Sequence, residues 1–227
     1  MVSRFNLIKT IALIAVIGVS TAAYGQQIIG VDTLVLTGEV YIPINGWRAP
    51  FEGSIAVISE PPGGTGVIAG GQLSFIFGRP SILLPLADVL TDVVRGWSLV
   101  ISAPEAMGAR LVLRTPEAGM TISQNSESGG GTSGGSMNVH YLFVDRDVTI
   151  SARRRIENTS ARDDREWIAD YRAFNITLRT GWNGLHRRLN ERWDMEGNGE
   201  STTTLSQDIP EWAGWLYRPD NMVPFFN

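Results

Sequence analysis

At 227 residues, 43% hydrophobic and 19% charged, the chain has the make-up of a folded globular protein, long enough for one large or two modest domains. A formal net charge of -4 at pH 7 makes it a poor electrostatic partner for nucleic acid or an anionic bilayer. There is no cysteine, which excludes disulfides, thiol nucleophiles, cysteine-based metal sites and the attachment point of a bacterial lipid anchor.

Residues 1–25 read as a cleavable secretory signal. Arg4 and Lys9 give the positive start, residues 11–19 (IALIAVIGV) the apolar stretch, and Ala23-Tyr24-Gly25 the small residues before a cut that leaves Gln26 first. The apolar stretch alone is too short to span a bilayer, so no membrane span is expected after cleavage. Lys9 is the single lysine, so the mature chain would have no lysine-dependent chemistry such as a Schiff base or a phosphate-loop lysine. Export predicts a place in the periplasm, on the cell surface or in the medium.

The mature chain alternates β-branched and aromatic runs with Gly, Pro and Asn clusters, the pattern of strands and turns. Residues 33–42 (TLVLTGEVYI) make the first strand, closed by Pro43 and Asn45-Gly46. Residues 54–59 make the second, stopped by Pro61-Pro62-Gly63-Gly64, and 72–77, 81–84, 97–102 and 109–115 follow. Residues 85–95 break the pattern: Leu86, Val89, Leu90, Val93 and Val94 recur at helical spacing behind Pro85, predicting one short helix. Residues 126–136 (SESGGGTSGGS) offer nothing that packs and read as a flexible linker and domain boundary, with a long hairpin tip within a single domain as the competing reading. Beyond it, residues 138–144, 148–152 and 173–179 read as strands. Residues 185–193 fit a helix or a strand equally, but Gly197-Asn198-Gly199 before 201–205 (STTTL) favours a hairpin. Residues 212–217 make a last strand. The expected fold is all-β: a signal peptide (1–25), an antiparallel β-sandwich domain (26–125), a linker (126–137) and a second, tryptophan-rich β domain (138–227), with one short helix.

Several pieces of the second half carry a resemblance. Tyr141-Leu142-Phe143-Val144-Asp145-Arg146-Asp147-Val148-Thr149-Ile150 runs on to Phe174-Asn175-Ile176-Thr177-Leu178 and Gly181-Trp182-Asn183. Thr202 to Thr204, Pro210 and Trp212 follow. Together they resemble a group of uncharacterised exported β-rich proteins of treponeme-type spirochaetes. The first half is similar only through its Gly-rich strands and Ile82-Leu83-Leu84-Pro85. Many members are lipoproteins; without a cysteine that attachment is not implied here. The resemblance implies export and a β fold, and no chemistry.

No catalytic constellation stands out. Gly131-Thr132-Ser133-Gly134-Gly135 matches a hydrolase elbow in letters only, because Ser and Gly flank it where the mechanism needs a strand and a helix. Gly64, Gly66 and Gly70 lack the helix that would turn such a loop into a phosphate cradle. His140 and His186, the only histidines, form no metal-ligand pair at i, i+2 or i, i+4. Asp145 and Asp147 flank Arg146 and form the one weak candidate for a calcium site, against a plain polar turn. Residues 153–155 (RRR) read as a solvated strand end with local ion pairing. No cofactor is expected.

Tryptophan is the more informative signal: Trp167, Trp182, Trp193, Trp212 and Trp215, five of the seven, lie after Glu166. They could fill the core of the second domain or present an aromatic platform to a glycan or an envelope protein. Trp212 and Trp215 would point to opposite faces of one strand, so the platform is drawn from Trp212, Trp215 and Trp182. The functional expectation is a non-catalytic exported binding or cell-envelope module. The alternatives are a carboxylate-based glycosidase or metal-assisted hydrolase, and a small outer-membrane β-barrel.

Overall fold

The computed structural model describes residues 27–29, 31–44, 47–94, 97–116, 120–130, 133–159, 166–207 and 214–219. The expected signal segment lies outside them. Among the described residues the chain is all-β, with sixteen strands and one short helix.

In the first half these are β1 (Gln27–Ile29), β2 (Leu34–Ile44), β3 (Trp47–Pro50), β4 (Ser54–Glu60), β5 (Thr65–Ala69), β6 (Gln72–Phe77), β7 (Leu84–Pro85), helix α1 (Leu86–Thr91), β8 (Val100–Ile101) and β9 (Met107–Arg114). The second half adds β10 (Met120–Gly130), β11 (Ser133–Val144), β12 (Val148–Thr159), β13 (Glu166–Leu178), β14 (Gly181–Trp193), β15 (Gly199–Ser206) and β16 (Gly214–Pro219). The predicted helix is present, with Pro85 at its N-cap and Leu86, Val89 and Leu90 buried. Around it, the strands expected at 81–84 and 97–102 shrink to two residues each.

The segment read as a linker is a hairpin. Residues 125–130 pair in register with 133–138, from Asn125↔Asn138 to Gly130↔Ser133. Residues 133–144 also pair along their whole length with β14. Glycine weakens a strand when it has no neighbours to pair with, but here the backbone ladder on both sides of β11 supplies the hydrogen bonds that its side chains do not. The boundary drawn at 126–137 therefore does not separate two sheets.

One mixed sheet runs through both halves. In its first part the pairings return on themselves: β9–β4, β4–β5, β5–β6, β6–β2, β2–β16, β16–β10 and β10–β9. The second part runs β11–β14–β15–β13–β12–β8. Two pairings are parallel, β2 with β16 and β13 with β15, so the sheet is not purely antiparallel as expected.

Two cores result, one on each side of a shared wall. On β11, Tyr141 and Phe143 join the first core, with Phe75, Phe77, Trp182 and Trp215. Leu142 and Val144, on the opposite face, join the second, with α1, Leu185 and Leu205. Strand side chains alternate faces, so a strand buried on both faces reads as an unbroken apolar run, as Tyr141-Leu142-Phe143-Val144 does.

The turn into β14 shows how closely the wall is fitted. Gly181 has φ +100, and a Cβ there would come 2.3 Å from the Val31 carbonyl oxygen. Asn183 locks the same turn, its Oδ1 accepting the Arg179 N–H at 2.9 Å and its Nδ2 donating to the carbonyls of Arg179 and Gly181. Gly181→Ala combines a disfavoured backbone conformation with a clash against main chain, so a loss of about 2 kcal/mol is expected. In thermal melting that is a drop of about 4–8 °C for a chain of this size. An unchanged midpoint would show that the turn does not need glycine.

Candidate binding surface

Two of the three predicted platform residues are sealed in the core. Trp182 and Trp215 are 3% and 2% exposed, and Trp212 lies outside the described residues. The Trp182 Nε1–H donates to the Gly78 carbonyl at 3.1 Å, and its ring meets Phe77 and Phe143 edge-on. The Trp215 Nε1–H donates to the Thr37 carbonyl at 3.1 Å, and its ring stacks on Tyr141. A large ring with one polar atom is stable inside when that atom finds an acceptor, and both do.

The weak calcium candidate is likewise a structural device. Asp145 and Asp147 sit at the turn between β11 and β12 and face different partners. Asp145 Oδ1 accepts the Met107 N–H at 2.9 Å and both its oxygens take Arg146. Burial opposes ionisation there, but the Arg146 hydrogen bond and the Met107 N–H hold the carboxyl below its ordinary range. Asp147 accepts the Thr180 N–H, the Arg179 guanidinium and the Thr180 hydroxyl, which together lower it to about 2. It thereby ties the β11–β12 turn to the β13–β14 turn. Among the described residues no group of three His, Asp or Glu side chains could hold a metal ion.

The aromatic pair that does reach the surface is Trp167 with Trp193. Both are half-buried, their ring centroids 6.3 Å apart and their planes tilted by 39°. Trp167 on β13 and Trp193 on β14 flank Gly199 at the start of β15, each paired with it in register. A Cβ at residue 199 would stand 2.0 Å from the Trp167 ring, so glycine is what lets the indole lie against the backbone. Sequence reasoning missed the pair because β13 was expected to begin only near Ala173, which left Trp167 without a strand. The signal was there in Glu166-Trp167-Ile168-Ala169-Asp170-Tyr171.

The pair lies on the face of the second part of the sheet that, nearer the shared wall, packs against α1. By the two-residue period, β14 presents Leu185, Arg187, Leu189, Glu191 and Trp193 to that face, and β15 presents Ser201, Thr203 and Leu205. Burial pushes the Glu191 carboxyl above its ordinary value. The opposite face at this end holds a polar hollow of about 360 Å³ lined by Glu166, Arg192, Asp194, Asn198 and Glu200. Its floor is a tight turn in which Asp194 accepts the backbone N–H groups of Glu196 and Asn198.

The histidines separate in the fold. His186 is buried beside Ser206, with the hydroxyl 3.3 Å from its ring nitrogens. His140 is half-buried with its Nε2 wholly covered. The arginines of residues 153–155 lie within β12, where Arg155 stands opposite Asp170 and Arg153 opposite Arg172. Asp170 takes Arg172 in a hydrogen-bonded pair that keeps its carboxyl low. An all-β scaffold with an aromatic end is the class this geometry defines. Comparison with known protein families, with characterised proteins and with solved structures gives no match.

Proposed function

We propose that the protein is an exported, non-catalytic binding module of the cell envelope that takes a glycan through the Trp167–Trp193 pair. The observation that carries this is the pair itself: two half-buried indoles held at the end of the sheet, one seated on Gly199. Indole faces stack on the apolar faces of sugar rings, and rigid side chains lose little entropy in doing so. Export is supported by the tripartite pattern of residues 1–25 and by the resemblance of residues 141–150 to exported proteins. The arginines on the outer face of the second part (Arg172, Arg188 and Arg192) speak against the outer-membrane barrel, whose outward residues must be apolar over a wide band.

The test is tryptophan emission of the full chain during titration with soluble envelope oligosaccharides. A saturable change is expected, and Trp193→Ala should weaken binding at least about tenfold. Trp182 and Trp215, sealed in the first core, supply a constant background. Equal binding by Trp193→Ala, or no response to any saccharide alongside capture of an envelope protein, would overturn the glycan reading.

A further inference from the structure

Nearer the shared wall, the same face ends in a group of cations that its own strands do not neutralise. His140 pairs with Leu185 across β11 and β14, which places Arg187, opposite Asn138, on its diagonal. Arg110 of β9, opposite Leu142, lies on the diagonal at the other side. Diagonal neighbours on one sheet face stand within reach of long side chains. Two guanidinium-bearing residues on two different strands therefore flank one imidazole.

Arg110 shares a hollow with Glu60, Asp88 and Asp92, so the charge left without a counter-ion falls on Arg187. Arg187 is half-buried and makes no ion pair or side-chain hydrogen bond among the described residues. Arg110 reaches Asp92, just past α1, at 3.3 Å, in a pair that solvent screens. By register the same face also carries Asn138 and Leu142 of β11, Leu185 and Leu189 of β14, and Asn125 and Glu127 of β10, which pair with Asn138 and Ser136. The next carboxyl along β14 is Glu191, four residues from Arg187 or about 13 Å of strand. Burial favours its neutral form.

His140 completes the group. Its Nε2 is buried with no hydrogen-bond partner. Leaving a buried polar nitrogen unmatched is costly, so a group that can accept from it or donate to it is favoured there. Next to two permanent cations, an anion satisfies it best: an oxyanion accepts from the Nε2–H of neutral His140 and takes the forked guanidinium of Arg187. Burial and the charges of Arg110 and Arg187 already hold His140 neutral, the state in which one ring nitrogen donates and the other accepts.

We propose that His140, Arg187 and Arg110 form a subsite for a small oxyanion, a carboxylate or phosphate group. The subsite uses other residues than the tryptophan pair, and the two stand or fall separately. The ligand chemistry shared by a free anion and an acidic group on a larger molecule is the same here, so the arms of the test separate them.

Thermal melting of the full chain at pH 7 would be followed with inorganic phosphate and with acetate, against chloride at matched ionic strength. A saturable rise in the melting midpoint is expected with at least one of the two oxyanions. Arg187→Gln, a change at a half-buried and unpaired position, should weaken that response at least about tenfold without loss of the fold. The imidazole signals of His140 give a second readout. Bound anion favours the protonated ring, so its titration should move upward in the presence of the oxyanion. A glucuronate-bearing oligosaccharide that raises the midpoint at lower concentration than acetate would assign the site to an acidic group on a glycan; acetate or phosphate acting equally well assigns it to the free anion. A midpoint rise that does not saturate, that is the same in Arg187→Gln, or that leaves His140 titrating as before would overturn the subsite. The saccharide response in tryptophan emission is a separate measurement, so either proposal can fail alone.

Discussion

Replacing Trp215 with alanine is expected to destabilise the protein by about 4 kcal/mol, within the range for a large aromatic removed from a packed core. Trp215 is 2% exposed and stacks on Tyr141 of the shared wall at 6.2 Å between centroids. It also sits where β16 pairs with both β2 and β10, the last link in the returning set of strands. Alanine removes ring contacts, leaves a cavity the rigid sheet cannot close, and deletes the Nε1–H bond to Thr37. Trp215→Phe separates the terms: it keeps most of the apolar area, so the loss should fall to about half. Urea unfolding, read as a shift in midpoint at constant slope, measures both. If Trp215→Ala shifted the midpoint no more than a surface substitution, β16 would not be part of the core.

Acidification is expected to weaken the fold in a window set by His140. Burial, then the charges of Arg110 and Arg187, pull its pKa from 6.5 to about 4. The folded protein thus favours the neutral ring. Above pH 6.5 both folded and unfolded chains carry it neutral, and its full contribution is present. As pH falls below 6.5 the unfolded chain takes up a proton that the folded chain refuses, and stability is lost until about pH 4. The interval corresponds to a loss of up to about 3 kcal/mol.

Other groups act in other windows. Asp145, Asp147, Asp170 and Asp194 have carboxyls held below 3.8, so what they contribute is lost only at still lower pH. Glu191, raised by burial, works in the opposite sense and favours the fold as it protonates. Urea midpoints at pH 7.5 and 4.5 in chloride buffer should therefore differ strongly in the natural protein and little in His140→Asn. An equal drop in both would assign the acid sensitivity to carboxylates instead.

Much of the fold was legible because local signals and global placement agreed. Residues 72–77 alternate strictly, and they form β6 with Leu73, Phe75 and Phe77 inward. Gly197-Asn198-Gly199 resolved the ambiguity of residues 185–193, and β14 pairs with β15 as that hairpin requires. The apolar spacing behind Pro85 gave α1. The Gly/Ser segment misled because composition reports what side chains can pack, while residues 133–138 are held by backbone pairing to β14, far away in the chain, and 125–130 pair onto them.

The aromatic surface was half legible. Clustering of tryptophan after Glu166 pointed to the right region, but residue type alone does not say which indole is sealed. Trp182 is inside because β14 begins there opposite Phe143 in the shared wall, whereas Trp193, eleven positions later on the same strand, lies outside both cores. His140 looked like an ordinary strand histidine for the same reason. Its two arginine neighbours come from residues 110 and 187, and only the register of β9, β11 and β14 brings them to one face.

The amino-acid order by itself determined the all-β class, the short helix and most strand positions, because these follow from side-chain period and turn chemistry over a few residues. The tertiary structure alone decided that the two halves share one sheet, that Trp182 and Trp215 are core while Trp167 and Trp193 reach the surface, and that two arginines flank His140. Those outcomes depend on pairings between segments far apart in the chain, and short-range spacing carries no information about which distant strand supplies the partner.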